Sequence, residues 1–170
     1  RVHPHGSSIC SPKTNVPFIP NPEMKSSAMP LRQLSFDHIH LVSANPREAA
    51  TWYVNVFDAE VVAEYELREA PQISVQLAGM TLLIRGRRPG EVPILPTPMK
   101  HFDGFSSHDV WGTDHFGFAY HGDLRSFCDE IKQRGATLTV EPWEFSPGAL
   151  ICYVGAPDGV NIEVVEAKRK

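Results

Sequence analysis

Hydrophobic and polar residues follow the same order of patterns twice along the chain. Alternation at 34–42 predicts a strand, and apolar residues at helical spacing after Asn45 predict a helix. Asn45, Pro46 and Glu48 are typical of a helix start: an N-cap, a proline in the first turn and a capping-box glutamate. Three strands are predicted to follow, at 60–67, 73–77 and 81–85. The first half therefore predicts a βαβββ unit.

The second half repeats this order at a constant offset. A strand is predicted at 114–120, followed by a helix at 123–134 that Asp123 caps and Gly135 ends. The last three strands are predicted at 137–140, 150–154 and 161–165. Asp37-His38 recurs 77 residues later as Asp114-His115, which indicates a duplicated unit. We therefore expect an α+β fold of two tandem βαβββ units, forming a half-open mixed-sheet barrel.

The segments outside these units have a different composition. Residues 1–33 are rich in proline, serine and asparagine, which favours an extended or disordered arm. We expect a single domain at 34–167, with unit one at about 34–86 and unit two at about 113–167. The connection at 87–112 is long for a compact domain, and loops of that length often form a lid or a site wall.

Composition narrows the class of partner. A hydrophobic fraction of 42% is ordinary for a soluble protein. The net charge of −4 does not indicate a basic surface for binding nucleic acid. No apolar run reaches the length of a membrane span. We expect a small-molecule substrate and a second copy of the chain as partners. The compartment stays open, cytoplasmic or exported after leader cleavage, because Cys10, Cys128 and Cys152 form neither a CxxC motif nor an even disulfide set.

Strand alternation predicts which side chains share the inner face of each sheet. His38 and His40 point one way, while the apolar residues beside them point the other way, under the helix. His115 and Gly117 share a face in the second unit, and Glu163 takes the face opposite its apolar neighbours. Two histidines and a carboxylate on equivalent strands form the facial set that leaves metal positions open.

Several motifs together resemble one superfamily. The chain is similar to vicinal-oxygen-chelate proteins of the glyoxalase, fosfomycin-resistance and extradiol-dioxygenase superfamily over roughly 34–167. The resemblance is carried by Asp37-His38-Ile39, Trp52-Tyr53, Asp114-His115 and Ala156-Pro157-Asp158-Gly159-Val160-Asn161-Ile162-Glu163. It implies a divalent metal held by His38, His115 and Glu163, and leaves its identity open among Fe, Mn, Zn, Ni and Co. Proteins of this superfamily commonly dimerise.

The first unit departs from one branch of that superfamily. The four-ligand glyoxalase I pattern has a glutamate near the last strand of the first unit, and positions 81–85 contain no carboxylate. Arg85 lies there, and we expect it to be a surface arginine rather than an anion-binding group. The predicted site is therefore asymmetric, with three ligands.

Two further residues are expected to act beside the metal. Tyr153 precedes Glu163 by ten residues, and this spacing resembles the second half of the extradiol dioxygenase signature, although the signature's histidine is missing from 143–151. His40 faces the predicted cavity as an acid–base or substrate-binding group. His101 and His108 could also supply a base, but we expect them to be solvated loop histidines.

Two functions fit this pattern. The first is a metal-dependent enzyme that chelates vicinal oxygens of a small molecule, either as a dioxygenase or as an isomerase or lyase. The second is a non-catalytic binding protein of the bleomycin-resistance type, which needs only an apolar groove. Metal content separates them, because only the enzyme needs the three ligands.

Overall fold

The computed structural model describes residues 34–167, and the predicted arm at 1–33 lies outside them. The first unit consists of β1 (His38–Val42), α1 (Pro46–Phe57), β2 (Glu60–Glu66), β3 (Pro71–Leu77) and β4 (Met80–Arg85). Its four strands form one sheet in the order β1-β4-β3-β2, with β1 parallel to β4. Within the described residues, no helix is long and apolar enough to cross a membrane.

The second unit repeats the topology of the first. After a two-stranded hairpin of β5 (Lys100–Phe102) and β6 (Phe105–Ser107), it consists of β7 (Phe116–Tyr120), α2 (Leu124–Gln133), β8 (Thr137–Ser146), β9 (Ala149–Gly155) and β10 (Asn161–Glu166). The sheet order is β7-β10-β9-β8, with β7 parallel to β10. These two mixed sheets confirm the predicted α+β fold of tandem βαβββ units.

The helices begin where the sequence predicts. The side chain of Asn45 accepts a hydrogen bond from the Glu48 backbone, and that of Asp123 accepts one from the Ser126 backbone. Gly135 follows α2 with a φ of 94°, a left-handed conformation that glycine adopts without strain. Each helix packs its buried side chains on one face of its sheet, so the opposite face is left for a site.

The core lies between the helices and the sheets. It is formed by small and branched residues of α1 and α2 packed on the strands of both units, including Ala50, Val56, Ile131, Leu82 and Ile162. In β1 the burial alternates, with Ile39 and Leu41 half-buried and both histidines exposed. The predicted division into an apolar face and a polar face is therefore correct for the strand that carries His38.

Most strands differ from their predicted bounds by one or two residues, and β1 and β8 differ by more. β1 and β7 begin later, at His38 and Phe116. β8 continues to Ser146, well past the predicted end at position 140, although it contains Pro142. β8 is an edge strand with register shifts on both sides of Pro142, and a proline is tolerated there because its missing N–H is not needed in a ladder.

The connection between the units is anchored by its β5–β6 hairpin. β6 packs against β8 and β9, and Ser106 is buried, with its hydroxyl donating to the carbonyl of Thr139. Gly104 turns the hairpin over the ring of Trp143, where a Cβ would come within 2.8 Å of the indole. The connection therefore covers part of the second sheet.

Candidate metal and substrate site

His115 and Glu163 are brought together by the parallel pairing of β7 and β10. The Nε2 atom of His115 lies 3.8 Å from Oε2 of Glu163, and both side chains are about three-quarters buried. On the other side of the ring, Nδ1 of His115 lies 2.8 Å from Oδ2 of Asp114. The imidazole is thus held between two carboxylates.

Asp114 determines which nitrogen of His115 carries the proton. Burial alone raises the pKa of Asp114, but hydrogen bonds from the His115 ring, the His108 backbone and the Ser107 hydroxyl outweigh it and lower the pKa to about 2. An ionised carboxylate only accepts, so Nδ1 of His115 donates to it. In the neutral ring, the lone pair of Nε2 then faces Glu163.

This pair fits a cation by its donor chemistry. A separation of 3.8 Å is too long for a hydrogen bond, yet within the ~4.2 Å that two metal–ligand bonds of about 2.1 Å can span. Two acceptors that face each other repel unless a positive charge lies between them. A carboxylate on the far ring nitrogen is also the usual support of a metal-binding histidine. The structure therefore brings together His115 and Glu163, two of the three residues predicted as ligands, in an arrangement compatible with a shared cation.

Tyr153 holds the other oxygen of Glu163. Its hydroxyl donates to Oε1 at 2.7 Å, and its ring packs edge-on against the His115 ring with centroids 5.3 Å apart. Tyr153 is 6% exposed, and burial, followed by the hydrogen bond to Glu163, raises the pKa of its phenol. The phenol therefore stays protonated and orients the carboxylate.

His38 repeats the Asp–His arrangement in the first unit. Its Nδ1 lies 2.5 Å from Oδ2 of Asp37, and its Nε2 has no hydrogen bond among the described residues, as in His115. However, no group of three or more His, Cys, Asp or Glu residues within 34–167 lies close enough to hold a metal ion. Within the described part of one chain, His38 is thus not joined to the pair formed by His115 and Glu163.

His40 and His115 line one cavity of about 340 Å³ between the two units. The cavity is otherwise walled mainly by apolar side chains and by the turn before β10, and residues 96, 108 and 110 of the connection contribute to it. Asn161, which is 1% exposed, also lines it. Its Oδ1 accepts from Thr139, but its buried Nδ2 has no partner among the described residues.

Charges around His40 favour its neutral form. Burial, then the charges of Arg85, His38 and Arg88, lower the pKa of His40 below its ordinary value. Arg85 is not the surface arginine we expected, because its side chain is only 14% exposed and lies 2.7 Å from Glu91. The prediction failed because Glu91 belongs to the connection, whose path is not readable from local pattern.

The two loop histidines differ from each other. His108 is buried, with Nδ1 3.2 Å from the carbonyl of Asp114 and Nε2 3.0 Å from the carbonyl of Gly159. The prediction of a solvated residue is therefore wrong for His108, which ties the connection to the turn before β10. His101 is exposed, as predicted, and its Nδ1 lies 2.9 Å from the Ser106 hydroxyl.

Asn161 is a site residue that sequence reasoning missed, and His108 is one that it named but placed in the wrong environment. Alternation placed Asn161 on the same face as Glu163 but indicated no role for an amide. The partners of His108 are backbone carbonyls, which leave no signal in the sequence. Only the position of Asn161 two residues before Glu163 could have marked it.

Comparison with known proteins agrees with this architecture. A family model described as the glyoxalase/bleomycin resistance protein/dioxygenase superfamily matches residues 35–164. A probable lactoylglutathione lyase from Synechocystis sp. is 33% identical in an alignment of 69 residues, and the match covers 35% of this chain and 53% of that protein. The chain thus spans about half the length of this curated relative.

Solved structures share the fold at low identity. A glyoxalase/bleomycin resistance protein/dioxygenase domain from Frankia sp. has a TM-score of 0.58 and 18% identity, covering 79% of this chain and 98% of its own. A fosfomycin resistance protein from Listeria monocytogenes, solved with Mn(II) and sulfate, has a TM-score of 0.53 and 14% identity, covering 79% and 93%. At these identities, the likeness concerns the fold.

Proposed function

Because the chain belongs to the glyoxalase/bleomycin resistance protein/dioxygenase superfamily, we propose that it is a divalent-metal-dependent enzyme acting on vicinal oxygens of a small molecule. His38, His115 and Glu163 are the proposed ligands. The observation that carries the proposal is the unbonded Nε2 of His115 facing Glu163 at 3.8 Å, with each side chain held from behind by a hydrogen bond. Such preorganisation of two lone-pair donors suits a cation.

A bound divalent cation supplies Lewis-acid chemistry, withdrawing electron density from the substrate oxygens it holds. The chain's own residues then have distinct tasks. Asp114 fixes the tautomer of His115, and Tyr153 fixes Glu163. Asn161 offers its unpaired Nδ2 to a substrate oxygen, and neutral His40 accepts a proton from the substrate in the same cavity.

The geometry favours the isomerase or lyase branch over ring cleavage. The resemblance to extradiol dioxygenases implies a tyrosine that hydrogen-bonds the substrate oxygen. Here, the Tyr153 hydroxyl donates its hydrogen bond to Glu163 instead. The cavity instead offers a histidine with a lowered pKa, as proton abstraction requires. The partial match to a probable lactoylglutathione lyase supports the same branch.

Metal analysis tests the proposal. Full-length protein is dialysed without chelator and its Fe, Mn, Zn, Ni and Co contents are measured per chain. We expect close to one ion per chain, lost in His115→Ala and Glu163→Gln but retained in His121→Ala, a control at an exposed histidine of the same unit. Iron together with oxygen uptake on catechols would overturn the isomerase or lyase branch while leaving the metal site intact.

A homodimer is part of the proposal because His38 lies apart from the other two ligands within one chain. β1, which carries His38, is the outer strand of the first sheet, and β7, which begins directly after His115, is the outer strand of the second, so both histidines lie at open edges. An exchange of units between two copies would join His38 of one copy to His115 and Glu163 of the other. Closure of both units within one chain is the competing arrangement.

A mixing experiment separates the two arrangements. His38→Ala and His115→Ala proteins are unfolded together, refolded as a mixture and titrated with metal. If units are exchanged, each mixed dimer has one site with both substitutions and one intact site, so binding returns in the mixture. If each chain builds its own site, the mixture binds no better than either variant alone.

The alternative is a binding protein without turnover. The observation that favours it is the largely apolar cavity of about 340 Å³, together with the lack of a three-ligand group in the described part of one chain. Such a protein would retain its ligand after metal removal. Metal-free protein that binds a small aromatic molecule as tightly as the untreated protein would favour this function over the enzyme.

A further inference from the structure

Two thiols meet in the core of the second unit, away from the proposed ligands. Cys128 of α2 and Cys152 of β9 have their sulfur atoms 3.4 Å apart, and each residue is at most 1% exposed. They are the free cysteines of the described residues and lie 24 positions apart in the chain. We propose that Cys128 and Cys152 form a reversible disulfide that links α2 to β9 when the protein meets a peroxide.

The distance requires only a small movement. A disulfide bond is about 2.05 Å long, so the two sulfurs must approach by about 1.4 Å. Rotation of two side chains with a slight shift of the helix covers that gap. No bond has to form between distant segments, because α2 already packs on this sheet through its buried face.

The two cysteines have different parts in the reaction. The hydrogen bond with Cys152 lowers the pKa of Cys128; burial counteracts this effect, and the charge of the nearby Lys132 ammonium adds to it. The pKa of Cys152 is raised by the same hydrogen bond and by burial. Cys128 is therefore the thiol that ionises first and attacks the oxidant.

The chemistry balances with hydrogen peroxide as the oxidant. The Cys128 thiolate attacks one peroxide oxygen, the O–O bond breaks and hydroxide leaves, so that Cys128 becomes a sulfenic acid. The sulfur of Cys152 then attacks the sulfenic sulfur, the S–O bond breaks and water leaves. In total, two thiols and one peroxide give one disulfide and two waters.

An irregularity in β8 provides access to the buried pair. Val140 pairs with Tyr153 and Trp143 pairs with Ile151, so two residues of β8 stand opposite Cys152 without regular pairing. One of them is a proline, which has no N–H, and β8 is an edge strand. The sheet can therefore open locally beside Cys152 more easily than elsewhere.

The linked strand also carries part of the proposed site. Cys152 precedes Tyr153, and it pairs with Val164, which follows Glu163 on β10. A disulfide at this point clamps the helix to the two strands that present the Tyr153–Glu163 hydrogen bond. The inference itself does not depend on the proposed function, because the thiol pair and its oxidation need no metal.

Thiol mapping tests the proposal on the full chain. Reduced protein and its Cys10→Ser variant, which lacks the third cysteine of the sequence, are treated with a small excess of hydrogen peroxide. Remaining thiols are blocked with N-ethylmaleimide under denaturing conditions, and peptides are analysed without reduction. We expect one linked peptide pair containing Cys128 and Cys152, reversed by dithiothreitol, and an unfolding midpoint raised by roughly 5–10 °C.

The controls make the result decisive. Cys128→Ala and Cys152→Ala proteins should give no linked peptide, and the wild-type map decides the question even if either variant fails to fold. The proposal is overturned if both cysteines of the folded, peroxide-treated protein remain fully alkylated. It is equally overturned if Cys128 ends as a sulfinic acid, or if either cysteine links to Cys10 instead.

Discussion

Glu163 lies directly opposite Gly117 in the parallel pairing of β10 with β7. A Cβ at position 117 would come within 3.4 Å of Oε2 of Glu163 and within 3.3 Å of its carbonyl oxygen. At the equivalent place in the first unit, His40 stands opposite Leu83. In each unit, one of these two paired residues is polar, His40 in the first unit and Glu163 in the second. The carboxylate of Glu163 occupies the space that a side chain at position 117 would fill.

Gly117→Ala is therefore expected to displace the Glu163 side chain without unfolding the protein. The free energy of unfolding should change by less than about 1 kcal/mol, since alanine suits a strand better than glycine does. The affinity for Zn²⁺ or Co²⁺ should fall about tenfold, as measured by calorimetric titration. Ala119→Ser, two residues along the same strand and opposite Val165, is the matched control. Unchanged affinity in Gly117→Ala would argue against Glu163 as a ligand.

Removing the hydroxyl of Tyr153 should loosen the same carboxylate. Tyr153→Phe deletes the 2.7 Å hydrogen bond to Oε1 and leaves the ring in place. We expect metal affinity to fall between about 10-fold and 100-fold and the protein to lose about 1–3 kcal/mol of stability in urea unfolding. Tyr65→Phe, at an exposed position of β2, should change neither. A substitution at Tyr153 that lowers only stability would show that its role is structural.

The charge of Asp114 should make stability depend on pH in the acid range. Its pKa is about 2 in the folded protein against 3.8 ordinarily, so this carboxylate contributes on the order of 2 kcal/mol above pH 4. That contribution is lost as the pH falls from 4 through 2. Asp114→Asn should therefore be less stable than wild type at pH 7 and about equally stable near pH 2.

Urea unfolding at pH 7, 4 and 2.5 checks this dependence. Asp129→Asn, at an exposed position of α2, serves as the control and should follow the wild-type curve. If the difference between wild type and Asp114→Asn stays constant across these pH values, the hydrogen bonds to Ser107, His108 and His115 do not depend on the charge of Asp114.

The local sequence pattern was sufficient to predict the helices and strands and the sheet face on which the site residues lie. The caps at Asn45 and Asp123 and the alternation around His38 and Glu163 depend on residues a few positions apart, so the sequence predicts them directly. The same alternation separated Gly117 from its apolar neighbours but could not show that Glu163 stands opposite it. Strand register joins residues 46 positions apart, and no short pattern encodes it.

The two incorrect predictions of side-chain environment both involve contacts with the connection between the units. His108 looked solvated because its segment is polar and aperiodic, yet its two ring nitrogens lie 3.2 Å and 3.0 Å from the carbonyl oxygens of Asp114 and Gly159 in the interior. Arg85 looked exposed because its partner, Glu91, lies in the connection, and the local pattern does not show that this segment folds back onto Arg85. Burial of a polar loop residue depends on partners that the tertiary path supplies, so composition alone predicts the wrong environment.

His40 should be neutral at a pH where an ordinary histidine is half-protonated. Burial and the charges of Arg85, His38 and Arg88 lower its pKa below 6.5, so the folded chain binds this proton more weakly than the unfolded chain. The stability of the fold should consequently decline as the pH drops through 6.5, and the decline should end below the folded pKa.

NMR titration of the His40 ring resonances measures the midpoint directly. Arg85→Gln should move the midpoint upward, because a positive charge near the imidazolium is removed, whereas Arg125→Gln on α2 should leave it unchanged. A midpoint at or above 6.5 in the wild type would remove His40 from consideration as the neutral proton acceptor of the cavity.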